Sequence, residues 1–592
     1  MIDLIQNSID NVIQNQPDEI FDSRPDGIYY VKTSFGRNQK VLTQEQRICA
    51  PIEIGAKFHD PELGDKWGLL LKWSDPKGRN HEQTIFYRQL EENPKLVRGS
   101  LMDEGLKIYC RSGTGDLFIK YLVQENPERT ASIATRTGYF EDGDKLVLIL
   151  PNKVIKSEDS GLDVIFKGQS NLKGIDEAGT LAGWQDSVGK LALHSKRMMF
   201  AIQAALASLL LKPLGLQSQA FHFVGASSTG KSTILKVTSS VLGTKDLVFS
   251  WRATDNGLEA VAIALCDMPL LCDELGQNTS PQTLDQVIYM LGNGTQKIRA
   301  NIDGKDQEVK HFRNTIISTG EKDVQELLQE AGKGVTAGVQ IRLPVIPADA
   351  GKNLGILESL PSSCADFLQY ETKLKLAAEE NHGIAFTEFA KKLLEVVNSP
   401  VRLQKLKEKY SEYVRNFSKK ALTGTIPISE MIRVTNGFAL VGFAGGLASQ
   451  WGITGWSKEQ SQECVYVCHK AWIENQNSVH FSYEEQELLD RVRKLFDQQQ
   501  NHFSHDSKEP WGSKDLDGNL VMASSAYREH IVKSKNQSKV IWANKFLIKY
   551  GWLIPDKGGK SSQNIKNQRH YVLKDPEREN ISMDIENLFT ER

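Results

Sequence analysis

The chain has 592 residues, 40% of them hydrophobic and 25% charged, which suits an ordinary soluble protein with about three or four cores. Lys plus Arg number 72 against 74 Asp plus Glu, so net charge names no polyanionic partner and any nucleic-acid surface has to be local. The seven cysteines are scattered without a C-x-x-C pair, which argues against a disulfide framework and for a reduced, cytoplasmic setting.

The amino terminus, MIDLIQNSIDNVIQ, lacks a basic leader and a long apolar core, and the richest apolar run, Met198 to Leu211, is too short to span a bilayer and contains Gln203. The chain is therefore expected to be neither exported nor embedded. Residues 1 to about 25 read as a short amphipathic helix. Strand-like runs follow: GIYYVKT, WGLLLKW, QTIFYRQL and KLVLILP, punctuated by turns at Asp75-Pro76-Lys77-Gly78 and Asp142-Gly143. They predict a β-rich domain over 1–175 in which His59-Asp60 and His81-Glu82 are surface or turn residues. A long helix is expected from Ser187 to Leu211.

That helix leads into FHFVGASSTGKST (221–233), where a buried strand runs into G-x-x-x-x-G-K-[ST] and then into a helical pattern. Glycines at 225 and 230 let the backbone curl with its N–H groups turned inward. Gly225, Ser228, Thr229, Gly230, Lys231, Ser232 and Thr233 are thus the candidate ATP-phosphate cradle. Lys231 reaches for the β- and γ-phosphates, and Ser232 offers a hydroxyl to Mg²⁺ at a helix amino terminus.

Downstream, apolar strands alternate with amphipathic helices, the pattern of a parallel α/β domain. LVFSW (247–251) is the next strand, and Thr254-Asp255-Asn256 caps the helix that follows. MPLLC (268–272) then delivers Asp273 and Glu274, a pair suited to holding Mg²⁺ opposite Ser232 and to polarising the water that attacks the γ-phosphate. KIRANIDGKDQEVKHF (297–312) alternates about Asp303-Gly304, a dipeptide that accepts a tight hairpin turn, with Lys305 beside the tip as a candidate DNA contact. NTIIST (314–319) ends in polar groups, so Thr319, Ser318 or Glu321 would sense the γ-phosphate. GVQIRLP (338–344) reads as the start of a strand carrying Arg342, which could reach a neighbouring subunit's nucleotide.

This order of loop, acidic strand end, inserted hairpin, polar strand end and late arginine is similar to AAA+ ATPases of the pre-sensor-1 hairpin group, which includes the MCM and superfamily 3 helicases. More narrowly, HFVGASSTGKST, SWRATDNGLEAVA, PLLCDELGQ, STGE and GFALVGFAGGLASQWGITGW (437–456) resemble a bacterial mobile-element family of undefined function, whose better understood relatives are Cch-type replicative helicases of cassette chromosomes. The resemblance spans about Gly27 to Trp472. It implies a hexameric ring, DNA-stimulated ATP hydrolysis and strand unwinding, and it gives Arg433 the role of a second sensor. Glu321 departs from it, standing where MCM proteins place asparagine.

After Arg342 the sequence becomes helical over 351–478, and RLQKLKEKYSEYVRNFSKK reads as a solvated helix face. Cys464 and Cys468, one turn apart and followed by His469, read as buried thiols rather than metal ligands. The last segment, 479–592, gives a helix, a polar loop to about Met522, two helices, a strand, a glycine-led basic turn and a strand, which is a winged-helix pattern. Between Lys533 and Lys574 ten Lys or Arg face one acid, Asp556. Lys545, Lys557, Lys560, Lys566 and Arg569 are its candidate phosphate contacts.

The fold class expected is a multidomain α/β protein: an AAA+ P-loop core (187–350), a β-rich amino-terminal domain and a carboxy-terminal winged helix. The function expected is an ATP- and Mg²⁺-dependent DNA helicase of a mobile element, acting on single-stranded and forked DNA as a homo-oligomer, with a primase or other replication protein as a further partner. A nucleotide-dependent DNA-binding switch and a nucleic-acid-sensing defence ATPase are the competing readings.

Overall fold

The computed structural model describes residues 18–35, 41–64, 66–109, 114–168, 172–278, 281–296, 309–333, 337–423, 429–480, 483–498, 500–503, 510–549, 551–556, 559–565 and 568–574. The chain divides into two compact units, Met1–Ser170 and Asn171–Arg592.

In the first unit, β1 (Asp18–Arg24), β2 (Gly27–Phe35) and β3 (Val41–Cys49) form an antiparallel sheet. The expected helix over residues 1–25 is therefore wrong at 18–24, where DEIFDSR pairs residue for residue with β2; positions 1–17 lie outside the described residues. A second sheet takes β4 (Ile52–Asp60), β5 (Lys66–Ser74) and β6 (Asn80–Phe86) antiparallel, with β7 (Thr130–Ala134) parallel to β4. The remaining strands are β8 (Gly138–Asp142), β9 (Lys145–Leu150) and β10 (Lys153–Ile155) in a third sheet, and β11 (Val164–Phe166) beside β7. QTIFYRQL changes element midway. Gln83–Phe86 is strand, but the Phe86 N–H donates to the Gln89 side chain and starts a helix at Tyr87. Helices α1 (Pro94–Asp103) and α2 (Thr114–Gln124) supply Val97, Leu101, Phe118 and Leu122 to a core shared with Leu69, Leu71 and Trp73. The two histidines are strand residues rather than turn residues: His59 stacks on Trp67 and pairs with Asp142 at 3.0 Å, and His81 stacks on Trp73.

The second unit opens with a helical stretch that is not one helix. Ser195 interrupts it, its hydroxyl accepting from the Met198 N–H as a cap, and helix α3 (Lys196–Ala207) starts afresh there. Five parallel strands follow: β12 (Gln219–Val224), β13 (Val248–Ser250), β14 (Met268–Asp273), β15 (Asn314–Gly320) and β16 (Val345–Pro347). Their order is β13-β14-β15-β12-β16, so the chain order reverses around β12 and opens a crevice at the carboxyl ends of the strands. Helices α4 (Lys231–Ser239), α5 (Asp255–Ala264) and α6 (Leu284–Asn293) join them. The strand expected to carry Arg342 is instead a short helix, α7 (Ala337–Arg342), whose last residue folds its guanidinium back onto the Gly338 carbonyl at 3.0 Å; the strand begins at Val345.

Five longer helices complete the region: α8 (Phe367–Glu380), α9 (Ile384–Val397), α10 (Pro400–Ala421), α11 (Ser429–Gln450) and α12 (Lys458–His480). By length and composition Lys196–Leu214 and Ser429–Gln450 could cross a membrane, but 89% and 67% of those windows are buried inside the protein, as core helices are. Cys464 and Cys468 are buried thiols. A further core gathers α13 (Tyr483–Gln498), α14 (Gln537–Lys549) and an antiparallel sheet of β17 (Gly512–Lys514), β18 (Leu520–Ala523), β19 (Leu553–Ile554), β20 (Gln563–Ile565) and β21 (Gln568–Leu573). The polar stretch before Met522 is not all loop. The Asp515 carboxylate accepts the Asp517 and Asn519 N–H groups and turns β17 into β18.

Two buried polar groups set the geometry of the parallel sheet. Asp267, fully buried just ahead of β14, takes a two-pronged ion pair from Arg313, just ahead of β15, at 2.7 and 3.1 Å. His222, at the centre of β12, bonds Ser318 of β15 at 2.8 Å and the Lys322 carbonyl at 3.1 Å. A carbonyl only accepts, so Nε2 carries the proton and Nδ1 accepts the Ser318 hydroxyl, whose oxygen accepts the Trp251 indole N–H at 2.9 Å. Burial pushes the His222 imidazole down from 6.5 to about 4, and the same cause takes His469 in α12 to about 4.

Arg313→Met should leave the Asp267 carboxylate buried without its charge partner and destabilise the second unit by about 3 kcal/mol, read as a lower melting temperature; an unchanged midpoint would show that the pair does not hold the strand ends. Both histidines stay neutral in the folded chain while the unfolded chain takes up protons below its ordinary value of 6.5. Their contribution is therefore complete above about pH 6.5 and is lost as pH falls toward 4. Melting temperature should drop between pH 7 and 5, with a shallower drop in His222→Asn; equal slopes would contradict the assignment.

Candidate nucleotide and magnesium site

Β12 ends at Val224, and the loop 225–230 turns into α4 at the mouth of the crevice. Two of its residues need the left-handed region, Ser228 (φ 63°) and Gly230 (φ 96°), and a Cβ at Gly230 would sit 2.8 Å from the Phe367 ring and 2.9 Å from Ile356. Lys231, only 7% exposed, folds its amine back onto the Gly225 and Ala226 carbonyls at 2.8 and 2.7 Å. The N–H groups of Gly230, Lys231 and Ser232 find no acceptor among the described residues. Unpaired backbone donors at the amino end of a helix, next to a lysine amine, suit an anion of phosphate size. Thr229 Oγ1 closes the loop on the Ala226 carbonyl, and Thr233 Oγ1 donates to Glu371 in α8 at 2.5 Å.

Across the crevice Asp273 ends β14. Its Oδ1 accepts Ser232 Oγ at 3.3 Å and Thr319 Oγ1 at 2.5 Å, so the helix after the loop, the acidic strand end and the polar strand end converge on one oxygen. Strand alternation separates the two hydroxyls of β15: Thr319 faces Asp273, whereas Ser318 faces His222 and Trp251 on the opposite side. Glu274 takes a left-handed backbone (φ 58°), a costly conformation for a residue with a side chain. Its N–H donates to Thr319 Oγ1 at 3.3 Å, and its carboxylate accepts the Glu321 N–H at 3.4 Å. A carboxylate and two hydroxyls are hard oxygen donors of the kind Mg²⁺ takes when phosphate and water complete its shell. Among the described residues no group of three His, Cys, Asp or Glu is placed to hold a metal.

The other expected residues are not gathered here. Arg342 lies over the Tyr289 ring at 4.4 Å and bonds Asn293 Oδ1 at 3.1 Å, on α6. Arg433 is exposed on α11, one turn ahead of Gly437; a Cβ on that glycine would meet Gln219, at the end of β12 farthest from the loop. Lys305, Lys557 and Lys566 lie outside the described residues, while Lys545, Lys560 and Arg569 are exposed. The base of the expected hairpin is described: Thr295 pairs antiparallel with His311, the Phe312 N–H reaches the Gly294 carbonyl at 2.8 Å, and the Gln296 N–H reaches the Lys310 carbonyl at 3.0 Å.

Sequence reasoning missed the segment 348–358, which flanks the loop. The Ile356 N–H donates to the Thr229 carbonyl at 3.0 Å, Gly355 packs on that same carbonyl, and buried Arg197 fixes the segment through Glu358 at 2.7 Å. It carries no local motif. His222, by contrast, left a signal: a polar residue inside an otherwise apolar strand.

Residues 21–311 match the family model described as "Domain of unknown function (DUF927)". No curated protein matches the chain. Among solved structures, one described as "SCCmec type IV Cch - active helicase" aligns over 95% of this chain and 98% of its own, with a TM-score of 0.56 and 18% sequence identity. The chain thus carries a region matched by that family model and resembles a Cch helicase in fold over nearly its whole length.

Proposed function

We propose that the protein is an ATP-driven DNA helicase or translocase, a ring-forming replicative motor of a mobile genetic element that works in the cytoplasm. The observation that carries this reading is the single Asp273 oxygen that accepts both Ser232 and Thr319 beside the Lys231 loop. In this reading 187–350 is an AAA+ P-loop core, 351–478 its helical companion, 1–175 a separate amino-terminal domain and 479–592 a winged helix. The resemblance in fold to a helicase supports the assignment.

Residues of this chain divide the work. Lys231 would exchange two backbone carbonyls for the β- and γ-phosphates, with Gly225, Ser228, Thr229, Gly230 and Thr233 shaping the cradle. Ser232 and Asp273 would hold Mg²⁺, which when bound neutralises charge on the phosphates. Glu274 would orient and polarise the attacking water, and Thr319 would keep Asp273 and the Glu274 backbone in register with the γ-phosphate. Arg342, lying over Tyr289 and bonded to Asn293, would serve a neighbouring subunit of a homo-oligomer, with a hexamer as the expected ring, and Arg433 would act as the second sensor. Lys305 would grip a backbone phosphate in the channel, and Lys545, Lys557, Lys560, Lys566 and Arg569 would anchor single-stranded or forked DNA. A primase or another replication protein is a further expected partner.

Lys231→Ala should weaken nucleotide binding, whereas Glu274→Gln should keep it and lose turnover by about 100-fold or more; wild-type hydrolysis by Glu274→Gln would show that Glu274 is not the base. Arg342→Ala protein should bind ATP yet fail to hydrolyse it, and mixing it with Lys231→Ala protein should restore activity where an intact loop meets an intact arginine. No recovery in verified mixed oligomers would argue against action across the interface. Lys305→Ala should retain basal hydrolysis and oligomer size but lose unwinding of a forked duplex; wild-type unwinding by that variant would refute a channel role.

A further inference from the structure

A cavity of about 510 Å³ lies among α9, α10, α11 and α12, lined by none of the loop or strand-end residues described above. Arg402, Lys405 and Lys409 line one side of it at spacings of three and four, hence on one face of α10, and Lys458 at the start of α12 adds a fourth cation. Glu412 is the one acid among the lining residues. Lys405, Lys409 and Lys458 form no ion pair with any described residue. Four exposed cations against one acid among the lining residues, in a chain of net charge −2, leave a local positive surplus that a bound anion would relieve.

The cavity is not merely a charged surface. Tyr413, Phe443 and Trp451 also line it, Trp451 braced against Phe389 with ring centroids 5.0 Å apart. Gly442 and Gly446, one turn apart on α11, keep the opposite wall low; a Cβ at Gly442 would strike the Tyr413 hydroxyl at 2.4 Å, whereas one at Gly446 meets nothing nearer than 3.4 Å. Tyr413 and Phe443 pack on Phe417, Tyr410 and each other, so the half-buried Trp451 ring is the one that, beside unpaired lysines and an arginine, matches a planar base joined to a phosphate; the volume falls in the range of small-ligand sites.

We propose that this cavity is a second nucleotide-binding site, which takes a nucleotide unit with its phosphate on Arg402, Lys405, Lys409 and Lys458 and its base against the Trp451 side. The unit belongs either to a single strand of nucleic acid or to a free nucleotide. The inference does not depend on the Lys231 loop hydrolysing ATP. A solvated helix face would explain the charges of α10, and close helix packing explains Gly442 against Tyr413, but neither explains the cavity that Gly446 and Trp451 line beneath those charges.

The test is photo-cross-linking of the full-length Lys231→Ala protein, which removes the loop site, with a single-stranded oligothymidylate bearing one 5-iododeoxyuridine and, separately, with 5-iododeoxyuridine monophosphate. The expected result is adducts on the peptides holding Tyr413 or Trp451. These adducts should fall at least about tenfold both in Lys405→Glu/Lys409→Glu and in Gly446→Leu, which fills the cavity without changing charge. Adducts with the oligonucleotide alone assign the site to a strand, and adducts with the monophosphate assign it to a free nucleotide. Adducts confined to other peptides, or cavity adducts that Gly446→Leu leaves unchanged in protein of wild-type melting temperature, would overturn the proposal.

Discussion

One carboxylate oxygen organises the crevice. Asp273 Oδ1 accepts hydroxyls from the first turn of α4 and from the end of β15, two elements that meet only because β15 runs between β12 and β14 in the sheet. If β14 lay directly beside β12, Thr319 would have no place next to Asp273, and the backbone of Glu274 would lose its bond to that threonine. The sheet order is itself held from below by the buried Asp267–Arg313 pair and from within by the Trp251–Ser318–His222 chain, so the polar mouth rests on a tightly specified polar core.

Alternation along β15 gives its two consecutive hydroxyls different tasks. Ser318 is spent on the interior, tying β12 to the segment after β13, while Thr319 reaches the crevice. The sequence offered both hydroxyls, with Glu321, as candidates for the sensing role. Facing direction gives them different partners: Ser318 turns to His222 and Trp251, Thr319 to Asp273, and Glu321 reaches Glu274 through its backbone N–H.

What could be read from the sequence is what short local patterns encode. A loop of fixed spacing between an apolar strand and a helix, and an apolar strand ending in Asp273-Glu274, are local rules, and those residues lie together across the crevice. Elements that long-range packing decides were read less well. Arg342 sits in a helix too short for periodicity to declare, QTIFYRQL changes element in mid-run, and Ser195 breaks a helix because its hydroxyl has both a cap to make and the distant Ile356 carbonyl to reach. The cavity beneath α10 was hidden for a related reason. A charge-rich helix looks solvated along its length, and only the fold brings Trp451 and the low glycine wall against its lysines. The segment 348–358 leaves no local mark because its part in the site is made of backbone contacts.

The proposed role of the crevice is to couple nucleotide hydrolysis to strand separation. Its most direct test is unwinding of a labelled forked DNA duplex by the full-length protein, run in parallel with Mg²⁺ plus ATP and with Mg²⁺ plus a non-hydrolysable ATP analogue. Displaced strand should accumulate with ATP and remain at background with the analogue. Equal displacement in the two reactions, or ATP hydrolysis without displacement on forks of either polarity, would rule out that coupling.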